Sequence, residues 1–380
     1  MDDQAVARAR DARHAPRAAA DPGGVLFVVE QLRRAVPGGI GTYIAGVLQG
    51  LAELEADGED VAAVTLHASR SPGGSDPLAS WGRRTRLSHL PSVVLTRAWD
   101  HALVHAPAGF GVVHATSLAV PPVRRAPLVV TVHDTAWRRF PDAFPERGRR
   151  WHEAALGRAR RRATRFVVPS VAVAEDLARD SPEDGVTVIP HGSDHLPAPD
   201  DVGVADLLRR VGVDGPFLLS VGTLEPRKNL GRVFDAYDAA RLALPEPWPL
   251  VVVGPDGWGQ GVGPRPGVVL TGAVSPGVLA ALYARARLLV YVPLSEGFGL
   301  PPLEAMRAGT PVLSSALPST QGAALEVDPL DVEAMADGMV RIAVDDDVCR
   351  SMAASGAERA AALTWRASAA AHLGVWRTVR

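Results

Sequence analysis

The 380-residue chain is long enough for two domains of ordinary size. At 47% hydrophobic it can fill sizeable cores, and its formal net charge of −2 carries no global signal for nucleic acid. Aromatic residues make up only 5%, which also argues against stacking platforms for single strands. Cys349 stands alone, so no disulfide forms within the chain, as fits a reducing cytoplasm, and no apolar run approaches the ~20 residues of a spanning helix. Residues 1–20, rich in Ala, Arg and Asp, lack the apolar core of a signal peptide and read as a disordered tail.

Strands and helices alternate along the rest, the pattern of α/β layers with parallel sheets. Val25–Val29 reads as a buried first strand, followed by a loop, Pro37-Gly38-Gly39-Ile40-Gly41. Ile40, Ile44, Val47, Leu48, Leu51 and Leu54 then recur at helical spacing. Further strands are expected at Val61–Leu66, Val112–His114, Leu128–Val132, Phe166–Val168 and Val186–Ile189. Arg147–Arg165 holds eight arginines; it reads first as a solvated helix face and second as a docking face for an anionic acceptor or lipid surface. Pro190–Asp201, with three prolines and three aspartates, reads as an interdomain linker. A second α/β series follows, with strands at Phe217–Val221, Leu250–Val253, Val268–Leu270, Leu288–Val292 and Pro311–Leu313. Two such halves predict paired Rossmann-like domains with a cleft between the C-terminal ends of their strands.

The residues that carry chemistry follow those strands. Glu296-Gly-Phe-Gly-Leu-Pro-Pro-Leu-Glu304 sits between a strand and a helix that Pro301 or Pro302 starts well. The backbone N–H groups of Gly297, Phe298, Gly299 and Leu300 would meet an anion at the helix N-terminus. A carboxylate on each side suits a ligand with hydroxyls as well as phosphates, such as a nucleotide sugar. Gly222-Thr223-Leu224-Glu225-Pro226-Arg227-Lys228-Asn229 puts two cations at a helix start, where they oppose the dipole unless an anion joins them. Arg227 offers a planar fork and Lys228 a point charge for a diphosphate. His133 ends a buried strand facing the cleft, placed to donate to a sugar hydroxyl, with Asp134 fixing its tautomer or the loop. Gly39 would let backbone approach the ligand. Gly254 ends another strand; Trp258, in the loop beyond, has no assignable role. No Cys/His set has ligand spacing, no Asp-x-Asp stands in a post-strand loop, and Asp345-Asp346-Asp347 reads as a solvated turn.

The Glu296–Glu304 string resembles the Glu-x7-Glu signature of retaining glycosyltransferases of family 4. Gly222–Asn229 resembles that family's diphosphate-binding loop in a mannosyltransferase-like subgroup, and His133-Asp134 its His-Asp motif. Val188-Ile-Pro-His191-Gly192 is similar to the family's strand-to-linker turn, with His191 structural. The resemblance covers residues ~24 to 380 and implies the GT-B fold. That means an acceptor domain over 21–195, a nucleotide-sugar domain over 205–360, and a C-terminal helix over 361–380 that crosses back to the first domain. It implies transfer of a hexose, with retention, from a nucleotide diphosphate to an acceptor hydroxyl in polysaccharide or glycoconjugate assembly. GDP-mannose comes first as donor; UDP-glucose, UDP-N-acetylglucosamine and dTDP-rhamnose stay open. Glu296, His133, Lys228 and Arg227 would be catalytic. Gly39, Thr223, Arg227, Lys228, Gly254, Glu296, Gly297, Phe298, Gly299, Leu300 and Glu304 would hold the donor, Glu304 through its ribose. Gly39, His133 and Asp134 would face the acceptor. No metal or other cofactor is expected. The expected partners are the donor and a glycan or glycolipid acceptor, at a cytoplasmic location with Arg147–Arg165 as a contact to the inner membrane face. Two departures stand out: Thr223 replaces an Arg that many members carry, and the segment between Ser314 and Glu326, around Ser315–Gln321, is a few residues short. A non-catalytic nucleotide-sugar binding subunit and a nucleotide-sugar 2-epimerase remain the alternatives.

Overall fold

The computed structural model describes residues 21–380 except 72, 74, 75, 180–184, 245–247 and 258–264. The tail read over residues 1–20 and Trp258 lie outside the described residues. The first half comprises β1 (Asp21–Val28), α1 (Gly38–Ala56), β2 (Val64–His67), β3 (Arg84–Thr85), α2 (Ser92–Asp100), β4 (Phe110–Ala115), β5 (Leu128–Thr131), α3 (Ala136–Arg139), α4 (Glu146–Arg160), β6 (Arg165–Val168), α5 (Val171–Ala178) and β7 (Val186–Val188). The second comprises α6 (Asp201–Arg210), β8 (Leu218–Val221), α7 (Leu230–Ala240), β9 (Leu250–Val253), β10 (Val268–Gly272), α8 (Pro276–Arg285), β11 (Leu288–Tyr291), α9 (Leu300–Arg307), β12 (Val312–Ser314), β13 (Leu325–Glu326), α10 (Val332–Val344) and α11 (Asp346–Ala361). Helix α12 (Trp365–Val379) follows.

Each half is a Rossmann-like α/β domain built on a parallel sheet. The seven described strands of the first run β3-β2-β1-β4-β5-β6-β7, and the six of the second run β10-β9-β8-β11-β12-β13. The order reverses between β1 and β4 and between β8 and β11, so each sheet opens a ligand crevice at the C-terminal ends of those pairs. The strands are near-continuous apolar runs because both faces are covered. Val25 and Phe27 of β1 pack on one side, Leu26 and Val28 on the other. In β11, Leu289 and Tyr291 face one cluster, Leu288 and Val290 the opposite one.

Three expectations are corrected. The glycine stretch after β1 is no loop: α1 begins at Gly38, which holds φ +61, so Gly39 and Gly41 lie in the first helical turn. The second domain also begins earlier than residue 205. Helix α6 starts at Asp201, capped by Asp200, whose Oδ1 accepts from Gly203 N at 2.8 Å, and it packs on α8. Asp345 is more than a solvated turn, because it caps α11 by accepting from the N–H groups of Asp347 and Val348.

The chain does return to the first domain through α12, which packs along α1. Close approach is possible because α1 carries Gly46 and Gly50; a Cβ on either would come within 2.1 Å of Trp365. A polar thread then runs through the contact. The Trp376 indole N–H, a donor only, points to His114 Nδ1 at 3.0 Å, so the His114 proton sits on Nε2 and is given to Thr131 Oγ1 at 2.8 Å. Thr131 Oγ1 lies 2.9 Å from Tyr43 OH, which lies 2.8 Å from His372 Nε2. His372 Nδ1 donates to the Ser368 carbonyl at 2.7 Å, which leaves Nε2 to accept. Every hydrogen therefore points one way, from Trp376 to Ser368, both on α12, and both imidazoles are neutral.

Burial holds His114 well below the ordinary imidazole value, with His372 and His133 adding repulsion, and lowers His372 to about 4. Such groups charge only on unfolding. Between about pH 6.5 and 4.5 the unfolded chain binds more protons than the folded one, so stability falls with pH by about 1.4 kcal/mol per unit for each buried imidazole. The expected melting temperature declines across that window, above the range in which carboxylates titrate, and His372→Gln flattens the decline. A melting temperature constant from pH 7 to 5 would contradict the neutral thread.

Candidate active site

The site in the second domain is built at the β8/β11 crossing point. Strand β8 ends at Val221, and the chain turns through Gly222 into a single 3-10 turn over Pro226–Lys228. Asn229, at φ +60, starts α7 and fixes this loop to its neighbours: its amide donates to Val292 O at 3.1 Å and Pro329 O at 2.7 Å. Thr223 and Gly254 lie side by side at the ends of β8 and β9. The turn aims both cations at the residue that follows β11. Arg227 Nη1 lies 2.7 Å and Lys228 Nζ 2.6 Å from Glu296 Oε1. The Tyr291 hydroxyl donates to the same oxygen at 2.9 Å and accepts from Lys228 at 2.7 Å. Arg227 is held further by Glu225 at 2.7 Å and by the Ser295 carbonyl at 3.0 Å.

This gathers three donors on one oxygen of Glu296, while Oε2 takes no hydrogen bond among the described residues. Burial opposes ionisation of Glu296, but Arg227 and Lys228 outweigh it and bring its carboxyl down to about 2. Arg227 is correspondingly held above its usual range: burial opposes its charge, and Glu296, Asp134 and Glu225 favour it. Past Glu296, Gly299 at φ +97 caps α9, and Leu300, Pro301 and Pro302 form its first turn. The shortened segment packs beneath this turn, with Ser319 N donating to Phe298 O at 3.2 Å and Leu317 against Gly299.

Glu304 is not part of that cluster. It is 7% exposed, and its carboxylate accepts from Tyr283 OH at 2.7 Å and from His195 Nε2 at 3.1 Å.

In the first domain β5 delivers His133. Its Nε2 donates to the Thr116 carbonyl at 2.8 Å, and burial keeps the ring neutral by lowering its pKa. Nδ1 is thus a lone pair. This corrects the expectation of a donor to a sugar hydroxyl: His133 can only accept from one. The tautomer is set by Thr116 rather than Asp134, whose Oδ1 instead accepts from Ala136 N at 3.0 Å and holds the loop. Gly39 faces Leu300 across the cleft, 4.0 Å from its would-be Cβ to Leu300 Cδ1. The donor-side loop touches the first domain directly. Ser170 Oγ donates to Gly297 O at 2.7 Å, and the Phe298 ring stands 5.0 Å from that of His191. His191 is 5% exposed and stacks on Trp365 at 5.5 Å, which fits the structural part read for it.

Tyr291, Tyr283, His195 and Ser170 were not singled out from sequence, and Asn229 was read only as the end of the Gly222–Asn229 string. Tyr291 had a signal, as the one polar tip at the end of an apolar strand. The others have none, because their partners lie up to 127 residues away.

Two facing Rossmann-like domains, a crossing C-terminal helix and an anion-ready turn at the second domain's crossing point define a glycosyltransferase of the GT-B class. The family models agree: residues 37–195 match Glycosyltransferase Family 4, and residues 210–325 match Glycosyl transferases group 1. The chain belongs to the family 4 glycosyltransferases. It is 31% identical over 260 residues to the O-antigen chain mannosyltransferase B of Escherichia coli, covering 64% of this chain and 68% of that protein. It is 30% identical over 220 residues to the serotype-specific mannosyltransferase WbdA of Escherichia coli, covering 54% of this chain but only 25% of that protein. The fold is similar to that of the sucrose-phosphate synthase of Thermosynechococcus elongatus, with a TM-score of 0.65, 21% identity and coverage of 93% of this chain and 98% of that one.

A side chain at Gly297 tests the cleft contact, since its Cβ would lie 1.7 Å from the His133 carbonyl oxygen. Gly297→Ala must displace the turn that carries Glu296. We expect turnover to fall by about 10²-fold, the size of a misplacement near 1 Å, with a lower melting temperature from the displaced interdomain contact. Turnover within twofold of wild type would show that this contact does not set the site.

Proposed function

We propose that the chain transfers mannose from GDP-mannose to an acceptor hydroxyl with retention, without a metal, in polysaccharide or glycoconjugate assembly. The observation that carries this reading is the Arg227–Lys228–Glu296 cluster beside the α9 N-terminus, opposite His133. The mannosyltransferases of O-antigen chains among its relatives support the choice of sugar. Arg227, Lys228 and the N–H groups of Gly297–Leu300 stabilise the diphosphate as it leaves, an electrostatic contribution concentrated in the transition state. Glu296 turns Oε2 to the sugar hydroxyls beside the reacting carbon, and Glu304 accepts from the ribose. Thr223 and Gly254 border the diphosphate, and Gly39 approaches it from the first domain. In a front-face transfer the acceptor oxygen bonds to the anomeric carbon as the carbon–oxygen bond to phosphate breaks. The acceptor proton passes to the departing phosphate oxygen. His133, with Nδ1 open, accepts from a hydroxyl and orients it, while Asp134 shapes the acceptor side.

A donor panel scored by nucleotide release tests this reading. GDP-mannose should turn over fastest among GDP-mannose, UDP-glucose, UDP-N-acetylglucosamine and dTDP-rhamnose, and chelation by EDTA should leave the rate unchanged. Lys228→Ala should lose about 10²-fold if one charged contact contributes about 3 kcal/mol to the transition state. Preference for a UDP or dTDP sugar would overturn the donor. Loss on chelation restored by magnesium or manganese would overturn the metal-free mechanism.

We further propose peripheral attachment to the inner membrane face through the arginine-rich α4 region. Within it Arg158 pairs with Asp100 and Arg160 donates to Leu177 O at 3.1 Å, whereas Arg147, Arg150 and Arg161 are exposed. No helix among the described residues is long and apolar enough to cross a membrane. Vesicles containing anionic lipid should retain the protein at low salt and release it at high salt. Equal partitioning on neutral and anionic vesicles would rule this attachment out.

A further inference from the structure

His195 and Trp365 belong to neither sheet. His195 sits in the connection between β7 and α6, and Trp365 is the first residue of α12. The Trp365 indole Nε1–H lies 3.2 Å from His195 Nδ1. An indole nitrogen only donates, so Nδ1 accepts and the His195 proton is on Nε2, directed at Glu304 Oε1 3.1 Å away. Tyr283 holds the other oxygen at 2.7 Å. Trp365 is itself fixed. It is fully buried, its backbone N–H donates to Asp194 Oδ1 at 2.8 Å, its ring stacks on His191, and the α1 glycines receive it. A carboxylate of the second domain is thereby aimed by a ring of the connection, which is aimed by a helix seated on the first domain.

We propose that His195 and Trp365 are positioning residues that couple the seating of α12 to donor binding by holding Glu304 in the rotamer that meets the nucleoside. An ionised carboxylate has about four acceptor positions, and the two bonds to His195 and Tyr283 leave the rest for vicinal hydroxyls. When the indole N–H is withdrawn, His195 has no fixed tautomer or ring orientation, and Glu304 loses one of its two anchors. The inference rests on the reading of Glu304 as the ribose partner.

Calorimetric titration with GDP, alongside thermal melting and turnover, tests it. Trp365→Phe keeps an aromatic ring but removes the N–H together with part of a fully buried indole. It should weaken GDP by about three- to tenfold, the size of one hydrogen bond to a well-placed group, raise KM for the donor equally and leave kcat close to wild type, while the cavity left by the smaller ring lowers melting on its own account. His195→Leu should behave likewise. His195→Gln, whose amide offers one acceptor and one donor, should restore most of the affinity. In Glu304→Gln the further change Trp365→Phe should add little, because both act through one carboxylate. If Glu304→Gln weakens GDP but Trp365→Phe does not, the coupling is wrong and the ribose reading stands. If Glu304→Gln binds GDP as wild type does, both fall. A loss of melting temperature and kcat in Trp365→Phe with GDP affinity intact would make the indole merely structural and overturn the proposal.

Discussion

Helix α12 leaves the second domain at Thr364 and buries Trp365, Ala369, Leu373 and Trp376 against the first. The rest of the structure leans on that crossing. One apolar cluster runs from Val25 and Phe27 of β1 through Trp365 and Trp376 to Leu289 and Leu303 of the second domain. Most inter-domain interfaces within a chain are polar and permit motion. Here a shared apolar core and a one-way polar thread fix where the first domain meets its partner. The segments after β1 and β5, which carry Gly39 and His133, consequently stand opposite the turn after β11, and two half-crevices become one site.

The polar thread narrows the ways in which α12 can be seated. Each of its hydrogens has one destination, so a register slip of the helix would leave His114 Nδ1 and the Tyr43 hydroxyl each short of one buried partner. An unmade bond at such depth costs about 1–3 kcal/mol. Apolar packing alone would tolerate slippage more readily, since Trp and Leu fill many similar spaces. The glycines of α1 add a steric condition, as only residues without Cβ let Trp365 come so near.

Much of the fold was legible in the residues. Parallel strands covered on both faces must be apolar throughout, so β1, β5, β9 and β11 appeared as unbroken runs. The two-residue strands β3 and β13 carry no such pattern, and neither was expected. The carboxylate–glycine–proline string and the Arg-Lys pair were visible because their chemistry is local. The pairing of Glu296 with those cations was not, since 68 residues separate Lys228 from Glu296. Histidine chemistry was the least legible part. Whether His133 donates or accepts depends on the Thr116 carbonyl, and His114 takes its tautomer from Trp376, 262 residues on. Gly297 looked like a turn residue open to ligand; the carbonyl of His133 against it is what forbids a side chain.

The charges of the cluster set a condition on any donor. Arg227 and Lys228 are matched by Glu225 and Glu296, so the four groups sum to zero. A diphosphate entering beside them adds negative charge, and the cations cannot hold it and both carboxylates equally well. Glu225 is tied to Arg227 from the same turn, whereas Glu296 is reached by Arg227 and Lys228 from another loop. Of the two, Glu296 is the one free to give up a cation. Tyr291 still donates to its Oε1, so Glu296 keeps its orientation through such an exchange. In the proposed transfer, a carboxylate that surrenders a cation to phosphate turns more of its negative charge toward the sugar ring. On that reading, the departing charge and the positive charge growing on the ring meet partners of opposite sign, in a place where burial weakens screening by water.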